Sequence, residues 1–361
     1  MRGGPTNVPR HRGGNQFRHT GTTELRELGV AVRSTGFRLV ATIVAIALGF
    51  FVADFFCFHG SNIVLDPRNW FELAQVLMVL AAVVVTMKLV ERRIRQDKSR
   101  IGGFIATSAT AVCSLAANAS LFVPLTFASV WFMYLASATD RPLMDQTLAA
   151  FDAAIGFDWR AFLSFTNKQP LVAETLVFAY HALGRQLPLL ILLLAFARRP
   201  RLTEFTALLA VSSALTATLM LFVPAAGAYA YFQPGPIEFS NFTARAGMWH
   251  FTELMKLRSG EPFHLLVTRA EGLVTFPSFH TALGILVVYA LRDYRWLFWP
   301  VACLNGIMII STLPEGGHHL IDVIAGTIVG LVSILAVKFI AGYQPRLAAA
   351  NAQLTSDVSA P

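Results

Sequence analysis

Two short clusters in the C-terminal half carry side chains suited to phosphoryl transfer. Phe276-Pro277-Ser278-Phe279-His280 opens one apolar run. Ser311, Thr312, His318 and Asp322 lie where the next run ends and the last begins. His318 and Asp322 are four residues apart, which puts both on one face of a helix. A carboxylate so placed accepts from one ring nitrogen, fixes the tautomer and leaves the other nitrogen as an activated nucleophile. His280, on a neighbouring helix, is placed to give a proton to a leaving oxygen. Ser278 and the free N–H groups of a helix start offer donors to phosphate oxygens. Gly316 and Gly317 let the backbone come close just before His318.

These clusters need elements that bring them together, and the composition says what kind. The chain has 361 residues, 55% of them hydrophobic and only 14% charged, with a mean hydropathy of +0.56. Soluble domains carry about 25% charged residues. Crossing a bilayer core takes about 20 apolar residues in a helix. Eight segments qualify as spans: 36–58, 71–90, 103–135, 171–197, 203–223, 277–292, 296–313 and 319–341. The third contains Pro124 and reads as one kinked, tilted helix. The sixth and seventh are short, as expected of helices that stop at a site near the membrane surface. The expected fold is all-α, a polytopic bundle of about eight transmembrane helices.

Charge placement tests that count. Of the 29 Lys and Arg residues, most fall in the N-terminal tail, 88–101, 198–201, 292–295 and the C-terminal end. The opposite loops are longer and hold Arg68, Arg141, Arg160, Lys168, Arg245, Lys256, Arg258 and Arg269. The positive-inside rule makes the cation-rich face cytoplasmic. Both chemical clusters then meet on the other face. The net charge of +8 follows from cations that flank spans and face anionic lipid, so no nucleic-acid partner is expected.

Four regions follow: a disordered basic tail over 1–35, two extra N-terminal spans over 36–100, a six-helix catalytic core over 101–343 and a C-terminal tail over 344–361. No signal peptide is read at the N-terminus. Residues 136–170 have apolar residues at near-helical spacing (Leu148, Phe151, Ile155, Phe162, Leu163) and are expected as an interfacial helix. A second helical patch is expected near 247–258. Cys57, Cys113 and Cys303 form no CxxC pair and are expected as buried, inert thiols.

The two clusters resemble the second and third motifs of the type-2 phosphatidic acid phosphatase superfamily. The second, Pro-Ser-x-His, is matched at 277–280. The third, Ser-Arg-x5-His-x3-Asp, is matched at Ser311, His318 and Asp322. The resemblance implies a six-span core, a phosphohistidine formed on His318, an orienting Asp322 and a leaving-group acid at His280. It also implies a membrane lipid as substrate and no cofactor. Two positions depart from the pattern. Thr312 stands where the third motif has arginine. The first motif, Lys-x6-Arg-Pro, is missing, because Arg199-Pro200 has Leu192 at the lysine position and lies on the cytoplasmic side. Both departures resemble the branch of inositol phosphorylceramide and sphingomyelin synthases, which move a phospho-headgroup between lipids. Bacterial members of the superfamily share the Gly-Gly-His and Phe-Pro-Ser-x-His patterns, so the expected location is a bacterial inner membrane with the site on the periplasmic face.

Those departures leave the phosphate's cationic clamp to other residues. Arg258 and Arg269, in the loop before Pro277, are the candidates beside Ser278 and Ser311, with Lys256 and Arg245 behind them. Arg185 and His181 sit one turn apart inside the fourth span. Ionisable groups at such depth are costly; they read as a headgroup site or as a structural pair with Glu174. His319 reads as an interface histidine and Glu315 as a solvated loop charge. Asn241-Phe242-Thr243 matches a glycosylation sequon by chance. A metal site made of His280, His318 and Asp322 would use the same residue types, but the phosphohistidine pattern explains their spacing better, so no metal is expected. The competing reading for the chain is a non-catalytic transporter or scaffold on a degenerate core; the intact set of Ser278, His280, His318 and Asp322 argues against it.

Overall fold

The computed structural model describes the backbone of residues 16–342, and the side chains of 35–342 except those of 245 and 246. The expected C-terminal tail, residues 1–15 and the side chain of Arg245 lie outside the described residues.

Among the described residues twelve α-helices follow one another, joined by short extended pieces. The long ones are α1 (Gln16–Phe58), α2 (Arg68–Ile94), α3 (Arg100–Ser137), α6 (Pro170–Ala197), α7 (Arg199–Phe222) and α12 (Leu320–Ala341). Between them lie α4 (Asp145–Ala154), α5 (Trp159–Asn167), α8 (Ala228–Phe232), α9 (Arg245–Leu257), α10 (Phe279–Ala290) and α11 (Arg295–Ser311). Among the described residues, six helices are long and apolar enough to cross a membrane, α1 from Thr35 onward included. The two expected short spans are α10 and α11. At 1.5 Å per residue α10 is only about 18 Å long, less than a bilayer core. The protein is an all-α polytopic membrane protein.

Several expectations change in detail. Residues 16–34, expected as tail, form the first part of α1. As expected, one helix, α3, runs through Pro124. The interfacial stretch is two helices, not one. Its first, α4, buries Leu148 and exposes Phe151, and Ile155 just after it is exposed. Cys57 and Cys303 are exposed rather than buried, because an apolar run in a membrane protein faces lipid as readily as protein.

The main core lies between α1, α3, α6, α7, α10, α11 and α12, where Ile43, Leu125, Leu183, Phe205, Leu208, Leu286 and Met308 are buried together. α1 is thus part of the bundle and not an outlying addition. α2 lies against α3, and no residue of its most apolar stretch is fully buried. Each end of the bundle is tied across sequence. Arg201 pairs with Glu204 at 2.8 Å and with Asp293 at 2.6 Å, and Arg292 reaches Glu204 at 2.7 Å. The cation-rich 198–201 and 292–295 turns therefore share one end. At the other end β1 (Ile63–Leu65) pairs in parallel with β2 (Phe263–Leu265). Arg258 bonds the carbonyl oxygens of Ser137 and Arg141 there. The loops assigned to the opposite face thus also share one end.

Candidate functional site

The second cluster starts a helix. The backbone of Ser278 is extended, and its Oγ accepts from the Thr281 N–H at 3.4 Å and the Thr281 hydroxyl at 3.1 Å. This is an N-cap, which satisfies a donor that the first turn of α10 would leave orphaned. Ser278 is fully buried, and its oxygen holds the helix start. Two residues on, the His280 ring stacks on Tyr180 of α6, with centroids 4.9 Å apart and planes 25° apart. Its nitrogens have no hydrogen-bond partner among the described residues.

The third cluster is held differently from the expected helix face. α12 begins at Leu320, so His318 lies in the loop ahead of it. His318 still meets Asp322, because the Asp322 side chain turns back over the first turn. One carboxylate oxygen accepts the His319 N–H at 2.9 Å and lies 3.4 Å from His318 Nδ1. That separation is longer than a hydrogen bond, as catalytic pairs often are before substrate tightens them. With Nδ1 turned to the carboxylate, Nε2 is the nitrogen left to react. Ser311 is buried and its hydroxyl donates to the Met308 carbonyl at 2.6 Å. Thr312 does the same to Ile309 at 2.6 Å. Neither hydroxyl proton is free for a phosphate oxygen.

The loop from 312 to 319 is wrapped on every side. Trp159 of α5 donates to Leu313 O at 3.2 Å, and Tyr229 of α8 to Pro314 O at 2.6 Å. Ala228 N–H donates to Gly317 O at 2.8 Å. Gly317 has φ +69°, and a Cβ there would meet the Tyr229 ring at 2.7 Å and Gly247 Cα at 2.9 Å. Only glycine meets both demands. A Cβ on Gly316 would touch the Tyr180 ring and the His318 ring, each at 3.1 Å. The rings of His280, Tyr180 and His318 are therefore gathered round one small space.

Four acidic or imidazole groups are buried in partnerships that the sequence does not show, among them His319, expected as an interface histidine. Glu315, expected as a solvated charge, is fully buried. It accepts from the Thr243 N–H at 3.0 Å, the Thr243 hydroxyl and the Ala244 N–H, and it lies 3.2 Å from His181 Nε2. His181 thus pairs with Glu315 rather than with Glu174. Asp152 caps α12, accepting from Leu320 N–H and Ile321 N–H at 2.8 Å each. Asp145 holds the Gly227 N–H at 2.7 Å and the Ala226 N–H at 2.9 Å. His319 is buried between the two, 3.5 Å from Asp145 and 3.7 Å from Asp152. Burial works against its charge, but the two carboxylates outweigh burial and push it up to about 9. The sequence signal was weak: in an amphipathic helix, Asp145 and Asp152 read as the polar face.

The expected cations do not converge on this space. Arg258 caps the end of α3, so its guanidinium is engaged with carbonyl oxygens. Arg269 is exposed on a turn beside β2, as is Lys256 on α9. No contact joins these three to His280 or His318 among the described residues. Arg185 is exposed on α6, one turn beyond His181. Among the described residues, no group of three or more His, Cys, Asp or Glu side chains is placed to hold a metal ion.

A helical bundle that gathers two histidines and an aspartate in this order defines a class, and comparison with known families gives it a name. The family model of the PAP2 superfamily matches residues 146–336, more than half of the chain and every residue of the two clusters. The chain belongs to the PAP2 superfamily. No curated protein and no solved structure matches it. Membership and the apolar helices together fit a membrane phosphatase-type enzyme.

Proposed function

We propose that the chain is a lipid phosphoryl-transfer enzyme that works through a phosphohistidine on His318. The observation that carries this reading is the approach of His318 Nδ1 to the Asp322 carboxylate at 3.4 Å. That carboxylate, fixed by the His319 N–H, orients the ring and steadies the charge it gains. His318 Nε2 attacks phosphorus. His280 protonates the departing oxygen, which an imidazole with free nitrogens beside the same space is able to do. The catalytic core is taken as residues 101–343, with the site on the periplasmic face of a bacterial inner membrane.

The phosphate clamp is the open part of the site. The Ser311 hydroxyl donates inside the fold, the Ser278 oxygen caps α10, and Arg258 is engaged with carbonyl oxygens. Two groups remain favourable. The N–H groups of Gly316 and Gly317 have no acceptor among the described residues, and they precede the nucleophile directly. Arg185 offers an exposed guanidinium on the helix that carries Tyr180 and His181, suited to a phosphate or headgroup.

The acceptor is either water, giving a lipid phosphate phosphatase, or a second lipid's hydroxyl, giving a phosphotransferase. Thr312 in place of an arginine, and the missing first motif, favour the transferase branch that uses phosphodiester lipids. A panel of radiolabelled lipid phosphates and phosphodiesters, given to the purified protein in lipid, tests the proposal. Release of free phosphate marks the phosphatase and a new labelled phospholipid the transferase. Equal turnover by a His318→Ala variant would refute both.

A further inference from the structure

We propose that His181 and Glu315 form a second imidazole–carboxylate pair, which takes the proton of the hydroxyl that discharges phosphorylated His318. The inference rests on the phosphohistidine reading above and assigns a step within it.

The geometry is that of a base and its orienter. Glu315 has a side chain 1% exposed, while that of His181 is 46% exposed. The carboxylate is fixed from one side by Thr243 and Ala244. On the other side it faces His181 Nε2 at 3.2 Å. A carboxylate beside Nε2 favours the tautomer with the proton on Nε2, which leaves the lone pair on Nδ1 of a half-exposed ring. Burying a carboxylate is costly unless donors surround it. Here a cluster of donors holds it against an imidazole that is itself open.

The pair stands beside the reacting space. The Tyr180 ring lies 4.9 Å from that of His280 and 5.5 Å from that of His181. Glu315 is three residues ahead of His318 in the same wrapped loop. The two imidazoles that flank Tyr180 have opposite surroundings. His280 has no carboxylate partner, which suits a group that gives its proton away. His181 has one, and the carboxylate steadies the imidazolium that forms when the ring accepts a proton. Such a contrast between neighbouring titratable groups separates an acid from a base.

The step balances. The acceptor's O–H bond breaks and its proton passes to His181 Nδ1. An O–P bond forms, the P–N bond to His318 breaks, and that electron pair returns to His318 Nε2. The acceptor is recognised only as a hydroxyl, so water and a lipid alcohol both satisfy the geometry.

Rapid-quench labelling separates the steps. Full-length protein in nanodiscs is mixed with 32P-labelled phosphatidic acid or phosphatidylinositol, with and without diacylglycerol or ceramide, and quenched in alkali to preserve phosphohistidine. In His181→Ala, label is expected on the protein at about the wild-type rate and to leave about 100-fold more slowly or worse, the lower end for loss of a general base. Glu315→Gln should shift the same rate in the same direction, and added imidazole should speed discharge in His181→Ala. Label leaving as inorganic phosphate identifies water as acceptor; label leaving in a new lipid identifies the alcohol. Discharge at the wild-type rate in both variants would overturn this inference alone. Labelling and discharge slowed equally, with no rescue by imidazole, would make the pair merely structural and also overturn it. A wild-type protein that neither donor labels would overturn the phosphohistidine reading itself.

Discussion

The backbone N–H of Ser278 donates to the backbone carbonyl of Asp322 at 3.0 Å. This bond fastens the first turn of α10 to the first turn of α12, so the residue that caps His280's helix touches the residue that orients His318. The spacing between the two histidines is set by that contact and by how closely the helices approach below it. Gly326, one turn along α12, sits against the Ser278 carbonyl. A Cβ there would collide with that oxygen and come within 3.1 Å of the Ser278 carbonyl carbon. These are backbone atoms, with no flexible side chain to swing aside. Gly326→Ala is expected to push the helices apart, cost about 1–3 kcal/mol in overpacking and lower turnover at least tenfold. Thermal unfolding in detergent and turnover on the lipid panel check the two effects; wild-type values for both would show that the close approach is dispensable.

His318→Ala should abolish turnover while leaving the protein folded, because the ring is replaced without disturbing the loop's ties to Trp159 and Tyr229. Asp322→Asn is the sharper test. An amide oxygen can still accept the His319 N–H, so the turn should hold. It cannot balance the charge on His318, and a loss of about four orders of magnitude in kcat is expected by analogy with other orienting carboxylates. A loss of less than tenfold would mean that the Asp322 carboxylate is there to cap α12 and not to serve His318.

Much of this was legible in the sequence because a membrane leaves few choices. Backbone polar groups must be satisfied within helices, so spans show as long apolar runs, and their ends show as motif residues and cations. Ser278, His280, His318 and Asp322 could be placed on one face by counting spans. What could not be read were the partners of buried charges. Asp152 holds Leu320 across 168 residues, and Thr243 holds Glu315 across 72. No local pattern links such positions. Hydropathy also cannot tell protein from lipid, which is why Cys57 and Cys303 proved exposed. Arg258 differs for a related reason: a cation near a motif in sequence need not lie near it in space.

The position of Arg258 makes its own prediction. Its guanidinium reaches the carbonyl oxygens of Ser137, a group that the end of α3 leaves without a helical partner, and of Arg141 in the loop beyond. Arg258→Ala should therefore leave KM for the lipid donor within about twofold and lower stability by about 1–3 kcal/mol, the range for hydrogen bonds to a charged group. A large rise in KM with unchanged thermal unfolding would restore this arginine as a phosphate clamp.

His319 predicts how stability depends on pH. Its value is raised to about 9 by Asp145 and Asp152, above the ordinary value of about 6.5 expected when unfolded. The stabilisation is thus complete below about pH 6.5 and is lost as pH rises through about 9. The wild-type unfolding temperature should fall between pH 7.5 and pH 10, reflecting a loss of about 2 kcal/mol. His319→Gln should start lower and fall less over that interval. Parallel curves for the two proteins would mean that His319 is neutral between its carboxylates.

Sidedness is tested best at residues that the fold leaves open. Glu315 is unsuited to labelling, because it is buried under Thr243 and Ala244. Ser259, after α9, and Lys98, between α2 and α3, are both exposed and lie at opposite ends of the expected layout. The native thiols would confuse the result, since Cys57 and Cys303 are exposed on the bundle's surface; all three cysteines should first be replaced by serine or alanine. In that background, Ser259→Cys is expected to react with a membrane-impermeant maleimide added to intact cells, and Lys98→Cys only after the cells are opened. Ser259 follows Arg258, which bonds Ser137 at the α3 terminus, so its label reports the side on which that end of the bundle lies. The reverse pattern would put the histidines on the cytoplasmic face and place the cation-rich turns outside, against the positive-inside rule.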